Sequence, residues 1–305
     1  MGEATDLLPS VLQEIVAQSG VEEAAGWVLQ AAHLSGTQVA VLMVGAPGRP
    51  AAAVVKMPAT PGGVASQRRE AEALAALRAE RSLGELAELI PGRLAEGEFG
   101  GIAYTVERAV PGVEGRVLLG DPSMRDRVVA AAAAVIGRFH QATSTQVVVD
   151  DELLERWVGS RVRLLAPATR NAAALERLEQ LLRRAWEGRS VDVAWVHGDY
   201  WPANVIFDPA LAVAGIIDWE WAAARELPAH DLLYLVIHMR MLAEGRELGP
   251  VVRSLLTGEA GVAVDRETLL LVWLRHVAYN LTQSPGDARN WIWTSRNVDT
   301  VLRSL

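Results

Sequence analysis

Three side chains suited to phosphate chemistry lie close together in the sequence: Asp199, Asn204 and Asp218. Short strands are predicted around them from apolar runs at residues 193–196, 205–207 and 213–217. The last two strands would form a tight hairpin that brings Asn204 and Asp218 together, facing the loop that carries Asp199. An uncommitted carboxylate, an amide oxygen and a second carboxylate form the set that phosphoryl transfer needs. Asp199 would accept the proton of an acceptor hydroxyl, while Asn204 and Asp218 would hold a metal that bridges phosphates.

The same stretch resembles the catalytic loop of the aminoglycoside phosphotransferase family, whose members share the protein-kinase fold. That family writes the loop as His-Gly-Asp-x-x-x-x-Asn, which matches residues 197–204, and the metal-binding segment as Ile-Asp-Trp or Ile-Asp-Phe, which matches residues 217–219. The resemblance implies a small-molecule kinase that uses ATP or GTP with Mg²⁺. His197 invites a general-base interpretation, but the resemblance makes it structural, and it also implies that Asp231 braces the loop.

A lysine at the end of a predicted strand supplies a cation for the phosphates. Lys56 lies near the end of the apolar run at residues 53–57, and Glu70 and Glu72 lie on the helix predicted at residues 66–81, which Ser66 would cap. Either glutamate could pair with Lys56. The resemblance favours Glu70 and implies that Lys56 binds the α- and β-phosphates. A surface lysine opposite a solvated helix face is the alternative.

The segments expected to touch the rest of the nucleotide carry weaker signals. The first two predicted strands are joined only through Ser35-Gly36-Thr37, without Gly-x-Gly-x-x-Gly. Ser35 and Gly36 are therefore either phosphate contacts or a plain hairpin connection. By resemblance to the kinase hinge, backbone groups of Glu107 and Ala109 would bond the purine ring. Backbone recognition of this kind does not separate ATP from GTP.

The order of the predicted elements indicates an α+β fold. Strands are predicted at residues 27–33, 38–44, 51–57 and 102–107, with helices at residues 7–17 and 66–81. Beyond residue 110 the chain is mainly helical apart from the catalytic hairpin, with late helices at residues 266–283 and 288–305. We therefore expect a bilobal, protein-kinase-like fold. A small antiparallel-sheet lobe with a helix pair, residues 1–109, would bind the nucleotide, and a larger helical lobe, residues 110–305, would carry the catalytic loop and the acceptor.

The acceptor pocket is expected near the metal-binding aspartate and the late helices. Trp201, Glu220 and Glu226 are candidate acceptor contacts, although a solvated loop explains them equally well. The resemblance implies a small molecule with a hydroxyl group. We expect a sugar-containing natural product, with inactivation of an antibiotic as the role. Sugars, choline-like alcohols and homoserine are the metabolic alternatives.

Composition limits the partners and the compartment. The formal net charge of −8 argues against a nucleic-acid partner, which calls for a basic surface. The apolar run at residues 128–136 is far shorter than the about 20 residues that span a membrane, and residues 1–6 lack the features of a secretory signal. The absence of cysteine fits a reducing compartment. We expect a cytoplasmic protein; the sequence leaves its oligomeric state open.

Two other functions are compatible with part of the pattern. A metal-dependent phosphoesterase could use the histidines and carboxylates of the same region, which are His197, Asp199, Asp218, His230 and Asp231. That alternative leaves Lys56 unexplained. A catalytically inactive kinase fold would be expected to have lost one of the predicted lysine, base or metal-binding residues, and all of them are present.

Overall fold

The computed structural model describes residues 6–99, 101–259, 264–283 and 290–305. The chain forms two compact units. One comprises Met1–Val135 and His197–Ala223, and the other comprises Ile136–Val196 and Ala224–Leu305. The stretch with the predicted catalytic and metal-binding residues therefore belongs to the same unit as the N-terminal strands. The division into residues 1–109 and 110–305 stays a prediction.

Six strands and three α-helices lie before residue 125 in the described part of the chain. The helices and strands are α1 (Leu8–Ser19), β1 (Val28–Leu34), β2 (Val39–Gly45), β3 (Ala53–Pro58), α2 (Pro61–Ala79), β4 (Arg93–Phe99), β5 (Ile102–Arg108), β6 (Val113–Glu114) and α3 (Gly115–Leu118). Short 3₁₀ segments connect some of them, at Glu22–Gly26, Arg81–Leu89 and Pro122–Met124.

Helices predominate from residue 125 onward. The elements are α4 (Arg125–Thr143), β7 (Thr145–Val148), α5 (Asp151–Leu154), α6 (Ser160–Leu165), α7 (Ala172–Trp186), β8 (Ser190–Val196), β9 (Val205–Phe207), β10 (Val213–Ile216), β11 (Ala223–Glu226), α8 (Ala229–Glu244), α9 (Leu248–Leu256), α10 (Arg266–Gln283), α11 (Trp291–Thr294) and α12 (Thr300–Leu302). A 3₁₀ turn at Pro202–Asn204 precedes β9, and π-helical turns at Glu155–Gly159 and Ser295–Asp299 follow α5 and α11. The predicted helix start at Ala288 lies outside the described residues. None of the described helices is long and apolar enough to cross a membrane.

The N-terminal strands form an antiparallel sheet in the order β1-β2-β3-β5-β4. Lys56 of β3 lies opposite Thr105 of β5, and Val54 lies opposite Glu107. Because successive side chains of a strand point to opposite faces, Lys56, Thr105 and Glu107 share one face of the sheet. That face is the polar one, and it carries the predicted lysine. The α+β class and the antiparallel N-terminal sheet predicted from the sequence are confirmed.

The other face of this sheet forms the core of the first unit. Val55 and Val106 are fully buried and belong to the same apolar cluster as Val11 and Ile15 of α1. Full burial of side chains of this size contributes about 1.5–3 kcal/mol each relative to exposure. The apolar face therefore fixes the position of β3 and β5, and with it the position of the polar side chains on the opposite face.

The second unit has its own apolar core and a sheet in the order β11-β8-β7. Trp157 and Trp186 are buried in this core and pack edge to face, with ring centroids 6.3 Å apart. Trp273 is also fully buried. Trp291, by contrast, is 69% exposed and lies outside this core.

The start of one helix and the presence of one strand differ from the sequence prediction for identifiable reasons. Helix α2 begins at Pro61, and the N–H of Gly63 donates to the Thr60 hydroxyl, so Thr60 and not Ser66 is the cap. Strand β4 was not predicted, because its burial does not alternate and Gly97 interrupts it. A Cβ at Gly97 would lie 2.7 Å from the Tyr104 hydroxyl, so the close approach of β5 requires glycine there.

Candidate active site

The hairpin of β9 and β10 brings two oxygen donors to one end. Val205 pairs with Ile216, and beyond that pair the N–H of Ile217 donates to the carbonyl oxygen of Asn204 at 2.9 Å. Asp218 follows directly and has a left-handed backbone, with φ 65°. Aspartate tolerates this conformation better than most residues, and such backbone strain is concentrated at functional sites. The hairpin predicted from the sequence is present, with Asn204 and Asp218 at its open end.

The loop before this hairpin holds Asp199 through the side chain of Asn204. The Asn204 Nδ2 donates to the carbonyl oxygen of Asp199 at 2.9 Å and to its Oδ2 at 3.0 Å. Gly198 has φ 83°, which glycine adopts at little cost. Because Nδ2 is committed to Asp199, Oδ1 is the Asn204 atom that remains for a metal. One side chain thus positions the predicted base and offers a metal ligand.

His197 is buried and ties the loop to the hairpin. Its Nδ1 lies 3.3 Å from the N–H of Asp199, which can only donate, so Nδ1 accepts. Its Nε2 lies 2.9 Å from the carbonyl oxygen of Ile217 and therefore carries the proton of a neutral ring. The ring also packs against Trp219, at a centroid distance of 4.6 Å. Both nitrogens are used within the loop, as expected of a structural histidine and not of a general base.

Lys56 contacts two carboxylates on the polar face of the N-terminal sheet. Its Nζ lies 2.6 Å from Glu70 Oε1 and 3.1 Å from Glu107 Oε2, and its side chain is 14% exposed. Glu72 is exposed and pairs with Arg68 at 2.9 Å instead. The structure therefore selects Glu70 over Glu72. Gln67 stabilises the arrangement by donating to the Lys56 carbonyl oxygen at 2.9 Å.

The charges around Lys56 are unbalanced, because three carboxylates act on one ammonium. Burial disfavours the charged lysine, but Glu107, Glu70 and Asp218 outweigh this effect and hold the pKa of Lys56 above its ordinary value. Burial raises the pKa of Glu70 to about 7, and the charges of Glu107 and Asp218 add to the rise while Lys56 opposes it. A further cation at this place would relieve the excess negative charge.

Glu107 enters the site through its side chain, a role not expected from the sequence. The expected contribution was its backbone, but Glu107 lies in β5 between β3 and β4 and is paired with Val54 and Arg93. The signal available in the sequence was the two-residue spacing from Thr105, which puts both side chains on one face. Linking that face to Lys56 required the strand pairing.

The other predicted nucleotide contacts are largely engaged within the sheet. The N–H of Ala109 donates to the carbonyl oxygen of Ala52 at 3.0 Å, so a contact to the base would use the Ala109 carbonyl. The hydroxyl of Ser35 accepts from the N–H of Val39 at 3.0 Å and closes the turn between β1 and β2. Gly36 lies in that turn, with open space around it. Phosphate contacts at Ser35 and Gly36 stay a prediction.

Trp201 and Glu220 are the predicted acceptor residues of the first unit, and Glu220 lies two positions after Asp218. The Glu220 carboxylate is buried and receives Arg69 Nη2 at 2.6 Å, and the Arg69 guanidinium lies 4.7 Å from the Trp221 ring centroid. Trp201 directly precedes the 3₁₀ turn that leads to Asn204, and its carbonyl oxygen accepts from the Asn204 N–H at 2.9 Å. The charge of Glu220 is thus paired with Arg69, a partner not predicted from the sequence.

In the second unit, Asp231 is fully buried and contacts His140. The Asp231 Oδ2 lies 2.8 Å from His140 Nε2. His140 is therefore a partner of this carboxylate. The brace that Asp231 would give to the catalytic loop stays a prediction.

Glu226 lies in a buried ion cluster of the second unit. Its carboxylate receives Arg161 at 3.0 and 3.1 Å and lies 3.2 Å from His230 Nδ1 and 3.9 Å from Arg275 Nε. Burial disfavours the carboxylate, but the charges of Arg161 and its neighbours hold the pKa of Glu226 far below its usual range. Burial lowers the pKa of His230 to about 4. The contacts of Glu226 are those of a structural ion pair, and its acceptor role stays a prediction.

The model of a known protein family matches residues 31–264 of the chain, and its description is the phosphotransferase enzyme family. The chain belongs to this family. It is a phosphotransferase with a hydroxyl group as acceptor. Among curated proteins, no sequence matches the chain.

Solved structures resemble this phosphotransferase along most of its length. An aminoglycoside phosphotransferase from Streptomyces rimosus, in complex with ADP and streptomycin, is 20% identical, with 88% of this chain and 98% of that chain covered and a TM-score of 0.52. The choline kinase LicA from Streptococcus pneumoniae is 13% identical, with 96% and 97% covered and a TM-score of 0.52. Similarity at these identities establishes the fold, and the predicted kinase-like fold is confirmed.

The oxygen donors of the first unit suit one kind of metal. In the described part of the chain, no group of three or more His, Asp or Glu side chains is arranged to hold an ion. Asn204 Oδ1 and the Asp218 carboxylate are two hard oxygen donors at the end of one hairpin. Mg²⁺ commonly takes one or two protein oxygens and completes its octahedron with phosphates and water. The donor set therefore fits a magnesium ion that arrives with a nucleotide.

Proposed function

We propose that this phosphotransferase moves the γ-phosphoryl group of ATP or GTP, with Mg²⁺, to a hydroxyl of a sugar-containing natural product. The observation that carries the proposal is one connected arrangement. Lys56 lies between Glu70 and Glu107 and within the field of Asp218. Asp218 follows the residue that bonds Asn204, and Asn204 in turn holds Asp199. The donor phosphates would lie at Lys56, the metal at Asp218 and Asn204, and the base beside them would be Asp199.

The excess negative charge around Lys56 supports a cation-bound nucleotide as the ligand. Glu70, Glu107 and Asp218 would repel free triphosphate. Mg²⁺ would neutralise part of the negative charge of the triphosphate and of these carboxylates. Glu70 would keep Lys56 oriented toward the phosphates, because a buried ammonium needs a counter-charge. Lys56 would then give up its weaker contact, to Glu107 at 3.1 Å, and keep the one to Glu70 at 2.6 Å.

Asn204 and Asp218 would hold the magnesium ion. When bound, Mg²⁺ neutralises the charge that develops on the phosphate oxygens. The residues of the chain contribute position. The hydrogen bond between Ile217 and Asn204 fixes the separation of the two ligands along the hairpin. The left-handed backbone of Asp218 sets the direction of its carboxylate.

Asp199 would orient the acceptor hydroxyl and accept its proton late in the transfer. A loose transition state needs little activation of the nucleophile, so position counts for more than basicity. The Asn204 amide provides that position by binding the carboxylate and the backbone of Asp199. The phosphoesterase alternative would require His230 and Asp231 as ligands, and their side chains are engaged by Glu226 and His140 instead.

We infer that the acceptor is a hydroxylated, sugar-containing natural product, an antibiotic that phosphorylation inactivates. The similar fold of an aminoglycoside phosphotransferase whose structure is in complex with ADP and streptomycin supports this class. The similar fold of a choline kinase makes a small metabolic alcohol the competing acceptor.

The test is a phosphate-transfer screen of purified protein with γ-labelled ATP and GTP against sugars, choline-like alcohols, homoserine and antibiotics. Lys56→Met serves as the negative control, because it removes the phosphate contact. We expect Mg²⁺-dependent label transfer to at least one sugar-containing compound by the parent and a large loss in the variant. Transfer only to a small alcohol would show that the acceptor is a small alcohol and not a sugar-containing natural product. Label release as phosphate with every acceptor, at equal rates in both proteins, would contradict the proposal.

A further inference from the structure

Glu107 carries a buried carboxylate oxygen that the rest of the site does not use. The residue is 4% exposed, and its Oε2 contacts Lys56 at 3.1 Å. Its Oε1 is buried and has no hydrogen-bond partner among the described residues. Buried polar atoms in proteins are nearly always paired, and an unpaired anionic oxygen carries a large desolvation cost. A donor from outside the chain would complete this group.

The position of Glu107 limits what that donor can be. It lies on the same face of the sheet as Lys56, one residue before the end of β5. Binding of phosphate at Lys56 would weaken the contact between Lys56 and Glu107, so the need for a new donor would increase when the nucleotide binds. A ligand group that arrives together with the phosphates and carries N–H donors is the purine base.

Within the chain, Arg78 and Arg93 are the competing cations. The charge of Glu107 acts on Arg78, whose Nη2 donates to the carbonyl oxygen of Pro91. Arg93 lies opposite Glu107 in the pairing of β4 and β5, and its own Nε is buried without a hydrogen-bond partner. The guanidinium contacts Glu96 through Nη1. Arg93 Nε and Glu107 Oε1 both stay unpaired although the two residues are neighbours. Arg93 therefore does not donate to Glu107 Oε1 in the structure.

We propose that Glu107 accepts a hydrogen bond from an exocyclic amino group of the donor purine and thereby favours purines that carry such a group over purines that lack it. The inference rests on the proposed use of a nucleoside triphosphate. Adenine offers its 6-amino group, and guanine offers its 2-amino group with the neighbouring N1–H. A carboxylate can accept from either, and it would disfavour a base edge that presents only acceptors.

The test compares nucleotides that differ by one amino group, in parent and variant. ATP is paired with purine riboside triphosphate, and GTP is paired with inosine triphosphate. Glu107→Met removes the acceptor at similar volume, Glu107→Gln keeps a neutral acceptor, and Glu72→Met removes an exposed carboxylate of α2 as the matched control. Apparent kcat/KM with Mg²⁺ and a fixed acceptor is the primary measurement, and the Kd of each nucleotide is the second.

In the parent and in Glu72→Met, we expect loss of the amino group from the preferred base to lower kcat/KM roughly tenfold or more, because hydrogen bonds to charged groups are the stronger ones. In Glu107→Met that difference should disappear, and in Glu107→Gln it should shrink. If Glu107→Met does not fold, the comparison of nucleotides in Glu107→Gln tests the inference. An unchanged difference in the Glu107 variants would overturn the inference while leaving the kinase proposal intact. Failure of the parent to bind any of the four nucleotides would overturn both.

Discussion

Asn204 donates from one nitrogen to both the carbonyl oxygen and the carboxylate of Asp199, at 2.9 and 3.0 Å. This contact joins the predicted base to a predicted metal ligand through one amide. Asn204 also receives the N–H of Ile217, the residue before Asp218. The predicted base and the predicted metal ligands are thereby held to each other through a single side chain and its backbone.

Replacement of Asn204 should therefore affect both metal use and catalysis. In Asn204→Ala, we expect kcat to fall roughly 10²-fold or more, because Asp199 loses its positioning contact. The Mg²⁺ concentration for half-maximal rate should rise as well, because Oδ1 is lost. Rates measured over a magnesium titration separate the two effects. A fall in kcat with an unchanged magnesium dependence would mean that Asn204 positions Asp199 without binding metal.

The raised pKa of Glu70 predicts a pH dependence of stability. The folded pKa is about 7, above the ordinary value of 4.5, so the folded state binds the proton more tightly than the unfolded state does. The Glu70 contribution is therefore fully present below pH 4.5 and is lost as the pH rises through 7. Each unit of pKa difference corresponds to about 1.4 kcal/mol.

Thermal unfolding of the nucleotide-free protein between pH 4.5 and 8 measures this contribution. The parent should lose stability relative to Glu70→Gln across that range, while Glu72→Gln should track the parent. Burial lowers the pKa of His238 to about 4, which gives a contribution of the opposite sign, lost as the pH falls. That contribution is common to all three proteins and cancels in the difference. The stability of the parent minus that of Glu70→Gln should therefore fall as the pH rises. A rise in this difference would contradict the raised pKa of Glu70.

Glu226 should matter for stability more than for the acceptor. Glu226→Gln leaves Arg161 and Arg275 without their buried counter-charge, so we expect a loss of about 3–5 kcal/mol in the free energy of unfolding. Glu176→Gln, on the exposed side of α7, is the control and should be nearly neutral. Chemical denaturation measures both. Unchanged stability together with a raised KM for the acceptor would restore the acceptor role predicted from the sequence.

The sequence predicted the parts of the site that are close together in the chain. Asp199, Asn204 and Asp218 fall within one loop and one hairpin, whose turn and apolar runs are local signals. The hairpin pairing and the hydrogen bond between Ile217 and Asn204 follow from that local pattern. The choice between Glu70 and Glu72 did not follow, because it depends on which face of α2 meets the sheet.

Contacts between distant segments were not predictable in the same way. Glu107 meets Lys56 only through the register of β3 and β5, and a register is set by the packing of whole strands. Arg69 and Glu220 are 151 positions apart, and Asp231 and His140 are 91 apart. Strand β4 was missed because, with its glycine and charged residues, it lacks the alternation that identifies a strand.

The central claim, that Asp199 is the base of a phosphoryl transfer, is tested most directly by single-turnover transfer and ADP binding in Asp199→Ala. Asp192→Ala, which removes an exposed carboxylate from β8, is the control. We predict that Asp199→Ala lowers the transfer rate roughly 10²–10⁴-fold while ADP still binds with Mg²⁺. Transfer by Asp199→Ala at the rate of the parent would contradict the claim.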